Sequence, residues 1–186
     1  MGLSKTIWTT PSEYLRIQQP DAPVMFFSPA VLQATARRFI DGFPGFVTYA
    51  VKSNPDEIVI ENLAAAGVQG FDVASPAEMR LIRRIAPSAA MHYNNPVRAR
   101  SEILTAVELG VASYSVDSRS ELAKLIALVP AQGTEISVRF KLPVAGAAYN
   151  FGAKFGATVE LAAELLATVA DAGFVPSLTF HPGTQC

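Results

Sequence analysis

Cysteine is almost missing from this sequence. The 186 residues hold one, Cys186, so no internal disulfide can form, which suits a reducing cytoplasm. Net charge is almost missing too, with 15 basic against 16 acidic side chains, whereas a nucleic-acid binder normally carries a basic stripe. The pairs Arg37-Arg38 and Arg83-Arg84 fall on helical patterns and read as solvated helix faces. No apolar run approaches the roughly 20 residues that a membrane span requires. Met1 to Thr10 lacks the apolar core and small-residue cleavage site of a signal peptide, so nothing suggests export. No G-x-G-x-x-G follows an early strand, which weakens a dinucleotide-binding reading. These absences point to a cytoplasmic protein with neither nucleic acid nor membrane as a partner. What is there is a chain 50% hydrophobic, long enough to bury roughly 70% of its unfolded surface in one ordinary domain.

The apolar residues are organised. Short β-branched or aromatic runs occur at Val24 to Phe27, Phe46 to Ala50, Gly70 to Ala74, Ala90 to Tyr93, Ala112 to Val116, Glu135 to Phe140 and Ser177 to His181. Between them lie Ala/Leu-rich stretches with helical spacing. Ala77, Leu81, Ile82 and Ile85 share one face; Ile103, Leu104 and Val107 form the next, and Leu122, Leu125, Ile126 and Val129 another. Ser28-Pro29 and Ser75-Pro76 place a capping residue before a proline at the first helical position. Ser118 and Glu121 have capping-box spacing, and Gly67, Gly110 and Gly173 fall where helices should end. Each unit runs roughly 20–25 residues, with one longer unit over Lys141 to Ala172. Repeated βα units imply a parallel sheet. Spacing alone leaves an open doubly wound sheet and a (β/α) barrel both open, leaning to the barrel.

In a barrel the chemistry sits at the C-terminal strand ends. Those ends carry Lys52, Asp72 with Glu78 in the next turn, Asn94 and Asn95, Asp117, Arg139 and His181. Asp117 and Asn95 also read as helix caps, Arg139 as a paired structural arginine, and His181 as a strand-end residue before the Pro182-Gly183 turn. Lys52 has a plain surface-lysine alternative. Ser53-Asn54-Pro55 nevertheless stops the strand and would hold it at the sheet mouth. A lysine in a partly apolar site can act as an amine nucleophile toward a carbonyl, forming a Schiff base. Asp72 and Glu78 would pull the other way by favouring the ammonium.

Five segments, in order, carry a resemblance. Tyr49-Ala50-Val51-Lys52-Ser53-Asn54 is similar to a Y-A-V-K-x-N motif, and Phe71-Asp72-Val73-Ala74-Ser75-Pro76-Ala77-Glu78 to F-D-x-A-S-x-x-E. Asn95-Pro96, Lys154-Phe155-Gly156 and His181-Pro182-Gly183-Thr184 match N-P, K-F-G and H-x-G-S/T. This set resembles the fold-type III pyridoxal-phosphate decarboxylases of ornithine, lysine, arginine and diaminopimelate. The resemblance implies an α/β fold, the (β/α)8 TIM barrel of the alanine racemase-like type. Here it would be incomplete, with about six βα units over 23–186, a lead-in over 1–22, and no C-terminal β-domain.

The implied cofactor is pyridoxal 5'-phosphate, with no metal. Lys52 matches the residue that holds it, His181 the histidine stacked on the pyridine ring, and Thr184 a residue that helps hold the phosphate. Asp72, Glu78 and Arg139 match polar residues lining the cofactor pocket. Lys154 resembles a lysine at the interface of a homodimer. The implied activity is decarboxylation of a basic amino acid, ornithine to putrescine first, with diaminopimelate or lysine as alternatives. Arg98 departs from the lysine that many relatives have after Asn-Pro. The family's glycine-rich phosphate loop, its Glu and Arg for the ring nitrogen and phosphate, and its Cys-Asp pair are not among these 186 residues. The expectation is therefore a piece of a longer parent with little activity alone. An alanine racemase-like enzyme is a weaker reading, and a non-catalytic homologue that binds a partner or the cofactor is a third.

Overall fold

The computed structural model describes residues 7–142 and 154–183. Two helices, α1 (Pro11–Gln18) and α2 (Pro29–Gly42), lead into one sheet. Its strands are β1 (Thr48–Ala50), β2 (Gly70–Val73), β3 (Ala90–Tyr93), β4 (Ser113–Val116), β5 (Glu135–Arg139) and β6 (Val175–Thr179). Helices α3 (Glu57–Ala65), α4 (Pro76–Ile85), α5 (Arg100–Glu108), α6 (Arg119–Leu128) and α7 (Val159–Asp171) alternate with them. Every strand pairs in parallel with its sequence neighbour, in the order β1 to β6. A doubly wound sheet reverses its order at a switch point. Unbroken order is that of a barrel wall, and the open choice closes on the barrel, with six of its strands among the described residues.

The sheet also curls. Laid flat, five interstrand spacings would put β1 and β6 roughly 24 Å apart. Yet Lys52, just past β1, and His181, just past β6, line one cleft.

Strand alternation separates two chemistries. Phe71, Val73, Met91, Tyr93, Tyr114, Val116, Ile136 and Val138 are fully buried in the core that the helices complete. Met79 and Ile82 of α4, Ile103 and Ala106 of α5, and Leu122 and Leu125 of α6 face them. Each large side chain buried there contributes roughly 1.5–3 kcal/mol. The alternate residues are polar: Asp72, His92, Ser113, Ser115, Glu135, Ser137, Arg139, Ser177 and Thr179. Lower on this inner side, Ser137 and Ser177 both donate to Glu135 Oε1, at 3.0 and 2.6 Å.

The cap chemistry holds at Ser28 and Ser75, each accepting from a backbone N–H three residues on with proline at the first turn. Gly67, Gly110 and Gly173 have φ of 103°, 66° and 82° at the helix ends. Elsewhere the structure departs from the sequence reading. Val24 to Phe27 is not a strand; among the described residues none pairs with it, and Phe26 instead packs edge-on against Tyr14, which meets Trp8. Leu104 and Ile126 are exposed, because each adjoins a buried residue and successive helical residues diverge by about 100°. The last strand ends at Thr179, so His181 stands two residues beyond it. Among the described residues no helix is long and apolar enough to cross a membrane.

Arg83 is the largest departure, because it is no solvated face. Its Nε donates to Leu109 O (2.8 Å), Nη1 to Pro87 O (2.7 Å) and Ala89 O (2.9 Å), and Nη2 to Gly110 O (3.0 Å). One guanidinium thus staples the turns that enter β3 and β4. Arg84 beside it does face solvent, in an exposed pair with Glu57 at 2.6 Å. Substituting Arg83→Met should lower the unfolding free energy by about 2–3 kcal/mol, since charged hydrogen bonds count for more than neutral ones. Arg84→Met, which loses only an exposed pair, should leave stability close to that of the wild type. Urea titration of both variants checks the contrast, and equal losses would show that the turns hold themselves.

Candidate active site

Lys52 reaches the sheet mouth through a turn rather than a strand. After Ala50 the chain makes one 3-10 turn, Val51–Ser53, anchored by fully buried Val51. Tyr49 Oη donates to Asn54 O at 3.3 Å, and Asn54 Oδ1 accepts from Asp56 N at 3.0 Å. Asp56 in turn caps α3 through Ile58 N. The Ser53-Asn54-Pro55 stop is therefore tied at both ends, leaving Lys52 over the cleft.

That cleft has a volume of about 590 Å³. Lys52, Asp72 and Ala74 line one side, Asn94, Asn95, Pro96 and Ser115 the back, and Arg139, Thr179, Phe180 and His181 the other side. Lys154 and Phe155 border it as well. Burial is the main influence on Asp72 and pushes its carboxyl above its usual range, against the lowering effects of Lys52, an Asn94 hydrogen bond and His92. Burial also lowers the His181 imidazole, helped by the charges of Arg139 and Lys52. Lys52 thus acts on Asp72 of β2 and on His181 beyond β6 alike. Burial lowers Arg139 as well, and Asp117 opposes it.

The Lys154-Phe155-Gly156 segment is held against the barrel wall. Gly156 N donates to Asp117 Oδ2 at 2.9 Å, so Asp117 is a tether here and Ser118 caps α6. Ala157 N donates to Arg139 O at 2.8 Å and accepts Lys141 N at 3.0 Å through its own carbonyl. The Phe155 ring then carries two cations against it, Arg139 at 5.5 Å and Lys154 at 5.4 Å from its centre. Such contacts contribute roughly 0.5–2 kcal/mol each.

Of the sequence-derived candidates, Lys52, Asp72, Arg139, His181 and Lys154 meet at the cleft. Glu78 does not line it: its carboxylate accepts from Ala74 N at 2.7 Å while Ser75 caps Glu78 N, a capping arrangement behind the wall. Thr184 lies outside the described residues. Asn95 makes a local turn, its Oδ1 3.4 Å from Val97 N, and does not cap α5, whose N-cap is Ala99. Ser115 was invisible in the sequence, being one serine in a strand. Its hydroxyl is buried in the cleft wall and has no hydrogen-bond partner among the described residues. His92 sits below, its Nδ1 2.6 Å from Ser113 Oγ.

The donor set fits an anionic ring carbonyl compound such as pyridoxal phosphate. One primary amine can link to a carbonyl, an imidazole can lie beside a ring, and Lys52, Arg139 and Lys154 outnumber Asp72 in charge. The unsatisfied Ser115 hydroxyl suits a polar ligand group.

Residues 30–186 match the family model described as pyridoxal-dependent decarboxylase, pyridoxal binding domain. The lysine/ornithine decarboxylase of Selenomonas ruminantium is 35% identical over 141 residues, 75% of this chain and 35% of that protein. The ornithine decarboxylase of Caenorhabditis elegans is 36% identical over 141 residues, 74% of this chain and 33% of its own. In structure, the lysine decarboxylase from Selenomonas ruminantium superposes with a TM-score of 0.80 at 27% identity, covering 97% of this chain and 48% of that one. The chain thus spans about a third of the length of these curated relatives.

Proposed function

Because the chain belongs to the pyridoxal-dependent decarboxylases and carries their pyridoxal-binding domain, we propose that the protein it forms part of decarboxylates a basic amino acid, ornithine first. The observation that carries this is the meeting of Lys52 and His181, from opposite edges of the sheet, in one cleft with excess positive charge. Lys52 is the residue that holds the cofactor, through its amine. His181, depressed by burial and two cations, stays neutral at neutral pH and can lie against the ring without adding charge. Arg139 and Lys154 supply positive potential for phosphate or carboxylate, and Asp72 limits how much of it Lys52 sees. Bound pyridoxal phosphate supplies the electron sink that lets a substrate lose CO2.

Ornithine leads because the names of the relatives above are ornithine and lysine decarboxylases. The product would be putrescine; a role in polyamine synthesis, a cytoplasmic location and a homodimer with Lys154 near the interface complete the proposal. Thr184 is proposed at the phosphate, while Glu78 adds a like charge that raises the Asp72 carboxyl. The test is CO2 release by the full-length protein, reconstituted with cofactor, from ornithine, lysine, arginine and diaminopimelate. Ornithine is expected to give the highest kcat/KM. Cofactor binding without CO2 from any of the four would favour the non-catalytic homologue instead.

A further inference from the structure

The sheet has one weak seam. β3 and β4 share only the register pairs His92↔Ser113 and Tyr93↔Tyr114, the shortest pairing of the five. Above that point the two strands carry cleft residues, Asn94 after β3 and Ser115 in β4. Arg98 bridges the seam. It is 3% exposed, and its Nη2 donates both to Tyr93 O, at 3.3 Å, and to Ser115 O. Its guanidinium packs on the Tyr93 ring at 4.9 Å and the Tyr114 ring at 5.8 Å. Its own carbonyl accepts from Lys124 Nζ at 2.5 Å, and Lys124 pairs with Glu121 at 2.6 Å, fixing the loop to α6.

We infer that Arg98 is a positioning residue: by joining the Tyr93 and Ser115 carbonyls it supplies the missing rung of the β3–β4 ladder and fixes Asn94 and the Ser115 hydroxyl in the cleft wall. A buried arginine whose Nε and Nη1 lack hydrogen-bond partners among the described residues is a costly way to hold two strands. A guanidinium can span both carbonyls and lie on both rings at once, whereas an ammonium is a compact point charge. Asn94 in turn lowers the Asp72 carboxyl against the effect of burial, so the rung also bears on that group of the cleft.

This inference rests on the reading that the cleft takes a pyridoxal group, and the experiment separates the two. Full-length protein is made as wild type, Arg98→Lys, Arg98→Met and Ser115→Ala, each measured without and with pyridoxal phosphate. In the absence of cofactor, amide hydrogen exchange in 93–98 and 113–116 should quicken about tenfold or more in Arg98→Lys, at a thermal midpoint near wild type. With cofactor, Arg98→Lys should bind it about tenfold more weakly with a shifted absorption band, and Ser115→Ala should weaken binding with exchange unchanged. Where Arg98→Met fails to fold, Arg98→Lys decides. Wild-type exchange and affinity in Arg98→Lys would overturn the inference, as would a fall in thermal midpoint with cofactor affinity intact. A wild type that binds no pyridoxal phosphate defeats the reading of the cleft, while the exchange data still decide the rung.

Discussion

In the full-length protein, Lys52→Ala is expected to lose the absorption band of a lysine-bound pyridoxal group and on the order of 10³-fold in kcat/KM for its amino acid. The loss corresponds to about 4 kcal/mol of barrier. Lys52→Arg refines the test. An arginine keeps a cation beside Asp72 and His181 but does not deprotonate near neutral pH, so it cannot form the covalent link. Both variants should therefore lose the band, while only Lys52→Ala should disturb the titrations of Asp72 and His181. Without its counter-charge, Asp72 should rise further; without a like charge nearby, His181 should rise toward its ordinary value. A band that survives in Lys52→Ala, followed by titration with cofactor, would remove Lys52 from the role.

Gly156→Ala should have the second large effect, for two independent reasons. Gly156 has φ of 111°, a backbone conformation that a side chain strains. A Cβ there would also stand 3.0 Å from Phe140 C and 3.1 Å from Lys141 N, both backbone atoms that cannot swing aside. The segment must shift by a few tenths of an ångström, which loosens the Asp117 tether and the contacts of the Phe155 ring with Arg139 and Lys154. About 2–3 kcal/mol is at stake in strain and one charged hydrogen bond. If that energy appears in binding, cofactor affinity falls roughly 30–150-fold. Equilibrium titration with pyridoxal phosphate measures it. Asp117→Ala, which cuts the tether without moving the backbone, should weaken binding less. Wild-type affinity in Gly156→Ala would show that the segment plays no part in the cleft.

Much of this was legible along the chain. The strand runs at Gly70, Ala90 and Glu135 and the caps at Ser28 and Ser75 depend on neighbours within a few residues, so local chemistry announces them. Lys52 and His181 were legible for the same reason, each beside a turn that ends its strand. Errors came where a distant partner decides. Arg83 looks like a surface arginine until the carbonyls of Pro87, Ala89, Leu109 and Gly110 close around it. Glu78 differs in kind, since its carboxylate sits on the local Ala74 N–H. Leu104 and Ile126 fitted an apolar stripe, yet only one of two adjacent helical residues can face the sheet.

The sequence by itself determined the alternation of strand and helix, the order of the motifs and the lysine at the first strand's end, because these rest on local propensity, capping and periodicity. Only the tertiary structure decided that the sheet curls, so that Lys52 and His181, 129 positions apart, meet across one cleft. It alone showed Asp117 holding Gly156 and Arg98 joining β3 to β4. Those contacts link groups far apart in the chain, and closing such loops is favourable only once the whole sheet has packed against its helices.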